Sequence, residues 1–273
     1  MESAVNVRRV SLPHITHLEL WDCVLKDTTL WDCMYRPDFD ERLLETVHLM
    51  FQGQALSQST GIIQIGHLSF DSLFLSGGGI SGSKADMRLQ ALPVPVIIAK
   101  DPVFGGTPGG MQLLARSGLS GMVVDVGQSQ IKISCESASK TFKRDFGTLP
   151  VSSDDMETSK PIYREALCAF IADSIRSFGT PKRPEGIVLA LPCALDSSGF
   201  PGRCSYPGLE NDPSIVSDVC ERAGMVNGTV LALNDAELTA YSASCDKRLS
   251  GFKTTLVLTI GFGVGCAVLE FES

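Results

Sequence analysis

The sequence lacks three features that assign many chains to a class: cysteines at CxxC spacing, a long apolar run and a surplus of basic residues. Without CxxC pairs there is no zinc-ribbon spacing, and no apolar run is long enough to span a bilayer. The 23 Lys and Arg residues are outnumbered by 31 Asp and Glu, which gives a net charge of −8. This balance argues against a general nucleic-acid or anionic-membrane binder, but not against a local basic pocket for a nucleotide.

The first residues do not fit a secretory signal, because Arg8 and Arg9 are followed by a polar stretch. Nine cysteines are scattered along the chain, and Cys168, Cys193 and Cys266 lie inside apolar runs, where a thiol acts as a small hydrophobe. We therefore predict a cytoplasmic protein with reduced core cysteines. At 273 residues and 44% hydrophobic composition, the chain can form one large globular domain or two modest ones.

The segment 122–134 has the clearest chemical character. An apolar run ends in Asp125, a turn with Gly127 follows, and a second alternating run leaves it. This pattern predicts a β-hairpin whose turn can bind an anion through exposed backbone N–H groups, beside a carboxylate suited to hydrated Mg²⁺. Asp-x-Gly turns also occur in hairpins for steric reasons alone, so a purely structural role stays open. The candidate site residues of this hairpin are Asp125, Gly127, Gln128, Ser129 and Lys132.

A second glycine hairpin is predicted at 255–270, where Gly261, Gly263 and Gly265 separate two apolar strands. Glycines at alternate positions allow positive φ and a close approach of the backbone to a ligand. Two hairpins of phosphate-binding type in one chain favour nucleotide binding over a purely steric explanation.

Predicted strands and helices alternate along the rest of the chain, which favours an α/β protein with mixed sheets, formed twice. The Gly/Pro-rich segment 196–211 is predicted to be a loop. Strands are predicted at 17–25, 72–80, 94–99, 140–146, 186–192 and 229–235, and helices at 40–54, 83–90, 111–116, 159–178, 214–223 and 236–244.

These segments resemble the sugar-kinase, heat-shock-chaperone and actin ATPase superfamily. Asp125–Lys132 looks like its phosphate-1 hairpin, Ile260–Gly265 like its phosphate-2 hairpin, and Leu73–Gly79 like its adenosine motif. Asn234–Ala243 is similar to the first connecting segment of the bacterial glucokinase and repressor-related sugar kinases. The segment 95–102 with Gly109 and Gly110 is similar to the second connecting segment, closest to the actin-like branch.

The resemblance implies an α/β, ribonuclease H-like ATPase fold with two similar halves around a nucleotide cleft. In the family, phosphate-1 comes first and the adenosine motif late, whereas here the adenosine motif precedes phosphate-1 and phosphate-2 follows both. We therefore expect a circularly permuted order. The expected divisions are 1–118 for the adenosine-motif half, 119–250 for the phosphate-1 half, and 251–273 for the hairpin that returns to the first half.

By the same resemblance the expected ligands are ATP and Mg²⁺, with Asp125 holding the metal through water. Backbone N–H groups at 127–129 and 261–265 would cradle the phosphates, and Gly77, Gly78 and Gly79 would lie against adenine or ribose. Lys132 either adds positive charge or points to solvent. Asp235 matches the position of the catalytic base, or it only caps the helix that follows.

Three functions remain open at this stage. The first is an ATP-dependent phosphotransferase that acts on the hydroxyl of a sugar or another small molecule. The second is a nucleotide-dependent switch or filament protein, because the Glu-x-Gly-His sugar element is absent and His14 and His17 read as ordinary strand residues. The third is a catalytically inactive nucleotide-binding regulator. The expected partner is a small-molecule acceptor, with no nucleic acid and no membrane, and a homodimer is left open.

Overall fold

A computed structural model describes residues 5–9, 54–57, 61–64, 70–78, 80, 92–127, 129–145, 156–179, 184–196, 199–204, 206, 209–225, 228–261 and 264–271. Several predictions lie outside these residues. They are the strand at 17–25 with His14 and His17, most of the helix at 40–54, the helix at 83–90, and the site residues Gly79, Gln128 and Gly263.

The described residues form a mixed α/β structure that divides into two compact units. Unit 1 comprises Met1–Gly105 and Thr239–Ser273, and unit 2 comprises Gly106–Leu238. Within the described part of the chain no helix is both long and apolar enough to cross a membrane.

Unit 2 contains a five-stranded sheet of β6 (Gly121–Val126), β7 (Gln130–Ser134), β8 (Ser139–Lys143), β9 (Gly186–Leu191) and β12 (Thr229–Asn234). The spatial order is β12-β9-β6-β7-β8. The first three strands in the chain pair antiparallel, and β6, β9 and β12 run parallel. A two-stranded sheet of β10 (Cys193–Leu195) and β11 (Pro201–Cys204) follows β9.

Helices cover both faces of this sheet, because successive strand residues point to opposite sides. Val124 and Leu189 lie in a core with α2 (Met156–Phe178) and α3 (Ile215–Arg222). Val123 and Val188 lie in a second core. That second core also contains Leu114 of α1 (Thr107–Arg116) and Leu238 of α4 (Asp235–Ser244).

Unit 1 contains a second five-stranded sheet. Its strands are β1 (Val5–Arg9), β4 (Ser72–Ser76), β5 (Val96–Ile98), β13 (Thr254–Ile260) and β14 (Val264–Phe271). The spatial order is β1-β14-β13-β4-β5, with β13, β4 and β5 parallel and β13, β14 and β1 antiparallel. A separate hairpin joins β2 (Gln54–Ser57) to β3 (Gly61–Gln64), and a short 3-10 helix covers Lys247–Leu249.

The two large sheets have the same arrangement of strands. In unit 2 the strands of the large sheet follow one another along the chain in the order β6, β7, β8, β9, β12. Unit 1 shows the same neighbours and directions if its strands are read as β13, β14, β1, β4, β5. In this reading β13 and β14 are the first two strands of unit 1, and they follow unit 2 in the chain. The third, fourth and fifth strands are β1, β4 and β5, which precede unit 2.

Both glycine hairpins are confirmed, as β6–β7 and β13–β14. The helix predicted from residue 111 begins at Thr107, because Pro108 occupies the first turn, where its missing N–H costs no hydrogen bond. The prediction of a loop throughout 196–211 is wrong, because Pro201–Cys204 forms β11. Its pairing with Cys193–Leu195 is not a local property of the segment.

Candidate functional site

The predicted metal ligand Asp125 and the predicted base Asp235 lie at the carboxyl ends of β6 and β12. Both strands flank β9 and run parallel to it, so their ends reach the same edge of the sheet. Asp125 pairs in register with Ala190, and Asn234 pairs with Leu191. Asp235, the first residue of α4, follows directly. Asp125 and Asp235 are therefore neighbours at this edge although they are distant in the chain.

Lys132 lies directly opposite Asp125 in the antiparallel pair of β6 and β7. Its Nζ is 2.7 Å from Asp125 Oδ2, and the two side chains are 15% and 17% exposed. The tight turn sets this register and places both side chains on the same face of the sheet. Of the two alternatives for Lys132, the structure favours charge held at the site over a side chain that points to solvent.

The electrostatic environment of Asp235 is unusual for a carboxylate. Burial and, to a lesser extent, the negative charge of Asp125 raise the pKa of Asp235 to about 6, while Lys132 acts in the opposite direction. Asp125, Lys132 and Asp235 therefore form one electrostatically coupled group, here called the carboxylate site. A carboxylate with this pKa changes charge close to neutral pH, which suits a general base.

The N-terminus of α4 is capped by Asn234 and Glu237, with one further acceptor from Asp235. Asn234 Oδ1 accepts a hydrogen bond from Ala236 N at 3.0 Å, and Glu237 Oε2 accepts one from Asn234 N at 2.9 Å. This reciprocal pair is a capping box. Asp235 Oδ1 also accepts from Ala236 N, at 2.9 Å. Because the box is complete with Asn234 and Glu237, the helix start does not require the Asp235 carboxylate. The Asn-x-x-Glu spacing in the sequence is typical of such a cap.

Asn234 also connects the carboxylate site to the chain that leaves β9. Its Nδ2 donates to the Cys193 carbonyl at 2.9 Å and to the Leu191 carbonyl at 3.5 Å. Cys193 forms a disulfide with Cys204, so the prediction of a reduced thiol at Cys193 is wrong. Cys168 is fully buried, as its apolar surroundings predicted, and burial raises its pKa to about 11.

The β6–β7 turn is held by backbone and side-chain donors. Gly127 N donates to Gln130 O at 3.0 Å, and the Ser129 carbonyl accepts from Arg144 N at 3.0 Å. The Gly127 carbonyl accepts from the Tyr206 hydroxyl at 2.5 Å. Tyr206 and Arg144 were missed by the sequence analysis, because Tyr206 lies in the Gly/Pro-rich segment and neither residue belongs to a local motif.

Unit 1 carries the glycines predicted to bind adenosine and the second phosphate group. Gly77 has φ of +102°, and a Cβ at this position would lie 2.2 Å from Ile260 O. Glycine is therefore required there for steric reasons. Gly78 and Gly261 have open space where a Cβ would lie, so close packing within the described chain does not explain their identity. Gly265 lies opposite Thr259 in the β13–β14 pair.

The donor set at the carboxylate site suits a hard cation. Mg²⁺ is commonly held by one or two carboxylates together with substrate phosphates and water, and Asp125 supplies a carboxylate of this kind. Among the residues that the structure describes, no group of three or more His, Cys, Asp and Glu side chains could form an all-protein cage. Asp125 would hold such a cation together with phosphate and water.

The comparisons with known proteins include a distant structural match. No family model matches the chain, and no curated protein matches it. Among solved structures, the inorganic polyphosphate/ATP-glucomannokinase from Arthrobacter sp. strain KM aligns at 20% identity with a TM-score of 0.37. The alignment covers 55% of this chain and 58% of the glucomannokinase chain.

Proposed function

We propose that the protein is an ATP-dependent phosphotransferase that acts on the hydroxyl of a sugar or another small molecule. The observation that carries this proposal is the carboxylate site, where Asp125, Lys132 and Asp235 meet at the carboxyl edge of parallel strands. Open α/β sheets bind their ligands at this edge. The site holds the groups that phosphoryl transfer requires, namely a base, a metal ligand and a positive charge.

Asp235 is the proposed general base. Its pKa of about 6 leaves it ionised at neutral pH while keeping it basic enough to accept a proton from an attacking hydroxyl. Its partial burial limits competition from water, and Asn234 and Glu237 complete the helix cap.

Asp125 is the proposed metal ligand, and Lys132 the neighbouring cation. When bound, Mg²⁺ supplies charge neutralisation for the phosphate oxygens. Lys132 holds the Asp125 carboxylate in one orientation through its 2.7 Å contact. It also keeps a positive charge beside the phosphate-1 turn, which consists of Gly127, Gln128 and Ser129.

Backbone groups of the glycine turns are the proposed phosphate and nucleoside contacts. The open space at Gly78 and Gly261 supports this assignment, because a side chain at either position would occupy volume that a ligand can use. In unit 1 the proposed contacts are Gly77, Gly78, Gly79, Gly261, Gly263 and Gly265.

The fold assigned to this function is the ribonuclease H-like ATPase fold in a circularly permuted order. The shared strand arrangement of the two large sheets supports it. A permutation that leaves one half continuous and divides the other accounts for the position of β13 and β14 after unit 2. Natural chains tolerate such rewiring where the joined ends lie near each other.

The test is an acceptor screen with a matched pair of variants. Purified protein is incubated with ATP, Mg²⁺ and a panel of sugars and polyols, and ADP formation is measured. Acceptor-dependent ADP release is expected from the wild type and from Asp173→Asn, whose side chain is exposed on α2. Asp235→Asn should bind ATP normally in calorimetry yet lose most of its transfer rate, on the order of 10²-fold or more.

Two results would overturn the proposal in different ways. If ATP binds but no acceptor raises ADP release, the kinase assignment fails; light scattering that then rises with ATP would indicate a filament protein. If ATP does not bind at all in magnesium buffer, the nucleotide assignment itself fails. Unchanged turnover in Asp235→Asn would remove Asp235 from the role of base.

A further inference from the structure

Three buried side chains form a cluster next to the phosphate-1 turn. The cluster consists of Arg144, Tyr163 and Tyr206, which are 5%, 6% and 1% exposed. Arg144 Nη2 donates to the Tyr163 hydroxyl, and the guanidinium carbon lies 5.0 Å from the centre of the Tyr206 ring. The two tyrosine rings are 6.4 Å apart. We call these three residues the tyrosine–arginine cluster.

Burial of an arginine is costly unless the charge is paired or stacked. The described contacts of Arg144 in this cluster are to the rings of Tyr163 and Tyr206 and to the Tyr163 hydroxyl. The cluster therefore has a defined geometry, with Tyr163 anchored on α2 and Tyr206 two residues beyond the disulfide-bonded Cys204. Tyr206 N also donates to Cys204 Sγ at 3.5 Å.

The tyrosine–arginine cluster donates hydrogen bonds to carbonyl groups of the phosphate-1 turn. The Tyr206 hydroxyl donates to Gly127 O at 2.5 Å, and Arg144 N donates to Ser129 O at 3.0 Å. A phosphate is repelled by carbonyl oxygens and attracted by N–H groups, so an anion-binding turn must keep its carbonyls directed away from the ligand. The Tyr206 hydroxyl and the Arg144 backbone N–H hold the two carbonyls in hydrogen bonds to the protein.

Tyr206 can fill this role at any physiological pH. Burial raises the pKa of the Tyr206 phenol well above its usual value, and this effect outweighs the opposing charge of Arg144. The phenol therefore keeps its proton and remains a donor. A phenolate would place a negative oxygen against the Gly127 carbonyl and would release the turn.

We propose that Tyr206 is a positioning residue, which fixes the phosphate-1 turn for the triphosphate by holding the Gly127 carbonyl. This inference rests on the proposed nucleotide-binding function. It predicts a specific defect, namely weaker binding of phosphate groups with unchanged binding of the nucleoside.

Tyr206→Phe and Tyr163→Phe make a matched pair. Each removes one buried phenolic oxygen from the tyrosine–arginine cluster, but only Tyr206 donates to the turn in the described contacts. Affinities for ATP with Mg²⁺, for tripolyphosphate and for adenosine are measured by calorimetry. Tyr206→Phe should weaken ATP and tripolyphosphate binding by roughly fivefold to tenfold, the loss typical of one hydrogen bond. Its affinity for adenosine should stay unchanged, and so should all three affinities of Tyr163→Phe.

The outcomes separate this inference from the function on which it rests. If the wild type does not bind ATP or tripolyphosphate, the proposed function fails and this inference fails with it. If the wild type binds both and Tyr206→Phe binds them equally well, only the role of Tyr206 is overturned. Equal losses in both variants, or a loss for adenosine too, would reveal a general structural defect and would also overturn it. Unfolding midpoints of both variants establish that the proteins compared are folded.

Discussion

Replacement of Asp235 by Asn should make the protein more stable while it removes the proposed base. The pKa of Asp235 rises from 3.8 to about 6 in the folded protein, mainly through burial. Each unit of difference in pKa corresponds to about 1.4 kcal/mol. A fully buried carboxylate with this shift would therefore lower the free energy of unfolding by about 3 kcal/mol at neutral pH. Because Asp235 is partly exposed, we expect a smaller effect. The free energy of unfolding of Asp235→Asn should exceed that of the wild type by about 2 kcal/mol at pH 7.

The size of this stabilisation depends on pH in a defined way. Because the folded state binds the proton more tightly than the unfolded state, the penalty is fully present above pH 6 and disappears as the pH falls below 4. The gain in Asp235→Asn should therefore shrink between pH 7 and pH 4. Urea unfolding followed by circular dichroism at several pH values measures it.

The control for this experiment is Asp173→Asn, whose side chain is 60% exposed. Its free energy of unfolding should stay within about 0.5 kcal/mol of the wild type, as for most surface substitutions. The reasoning would be refuted if Asp235→Asn were no more stable than the wild type at pH 7, or if its gain were the same at every pH.

Three further outcomes are expected. Asp125→Asn should lower the pKa of Asp235, because it removes a nearby negative charge; carbon NMR titration measures the shift, and an unchanged or higher pKa would contradict the coupling. Cys204→Ser should cost about 3 kcal/mol in urea unfolding, given the 11-residue separation closed by the disulfide, and the difference from the wild type should vanish when both are reduced. Gly77→Ala should destabilise the protein by about 1–3 kcal/mol, because it combines positive φ with a collision against β13. Gly78→Ala, which has open space, should unfold at nearly the wild-type urea concentration, and equal losses in the two variants would refute the steric argument.

The local parts of the fold could be predicted from the sequence. Alternating apolar residues on either side of a glycine turn identified the β6–β7 and β13–β14 hairpins, because strand periodicity and turn chemistry are both properties of neighbouring residues. Helix α2 was recognised from its apolar face, and the structure starts it at Met156, three residues before the predicted start at Ser159.

The composition of the site could be predicted only in part. Asp125 was identified from its position at the end of an apolar run, and Asp235 from the resemblance to sugar kinases. Their proximity depends on β6 and β12 both flanking β9. Strand order is a non-local property that one sequence does not reveal. The orientation of Lys132 depends on the register Asp125↔Lys132, which a change of one residue in the turn would reverse.

The contacts beneath the turn could not be predicted at all. Tyr206 reaches Gly127 across 79 positions of the chain, from a segment whose Gly and Pro content predicted only a loop. Its conformation depends on the β10–β11 pair and on the disulfide between Cys193 and Cys204. Long-range pairing of this kind overrides the local tendency of the sequence.

The divided construction of unit 1 has a consequence for biosynthesis. Ser72 of β4 contacts Thr255 of β13 through their hydroxyl oxygens, across 183 positions of the chain. At ribosomal speeds of about 5–20 residues per second, β4 would wait on the order of 10–40 s for its neighbour to emerge. The contiguous chain of unit 2 can reach its native state during this interval. All five residues of β4 are buried in the finished protein. Until β13 emerges, the edge of β4 opposite β5 has no partner strand, and a chaperone that shields this edge should raise the yield of native protein.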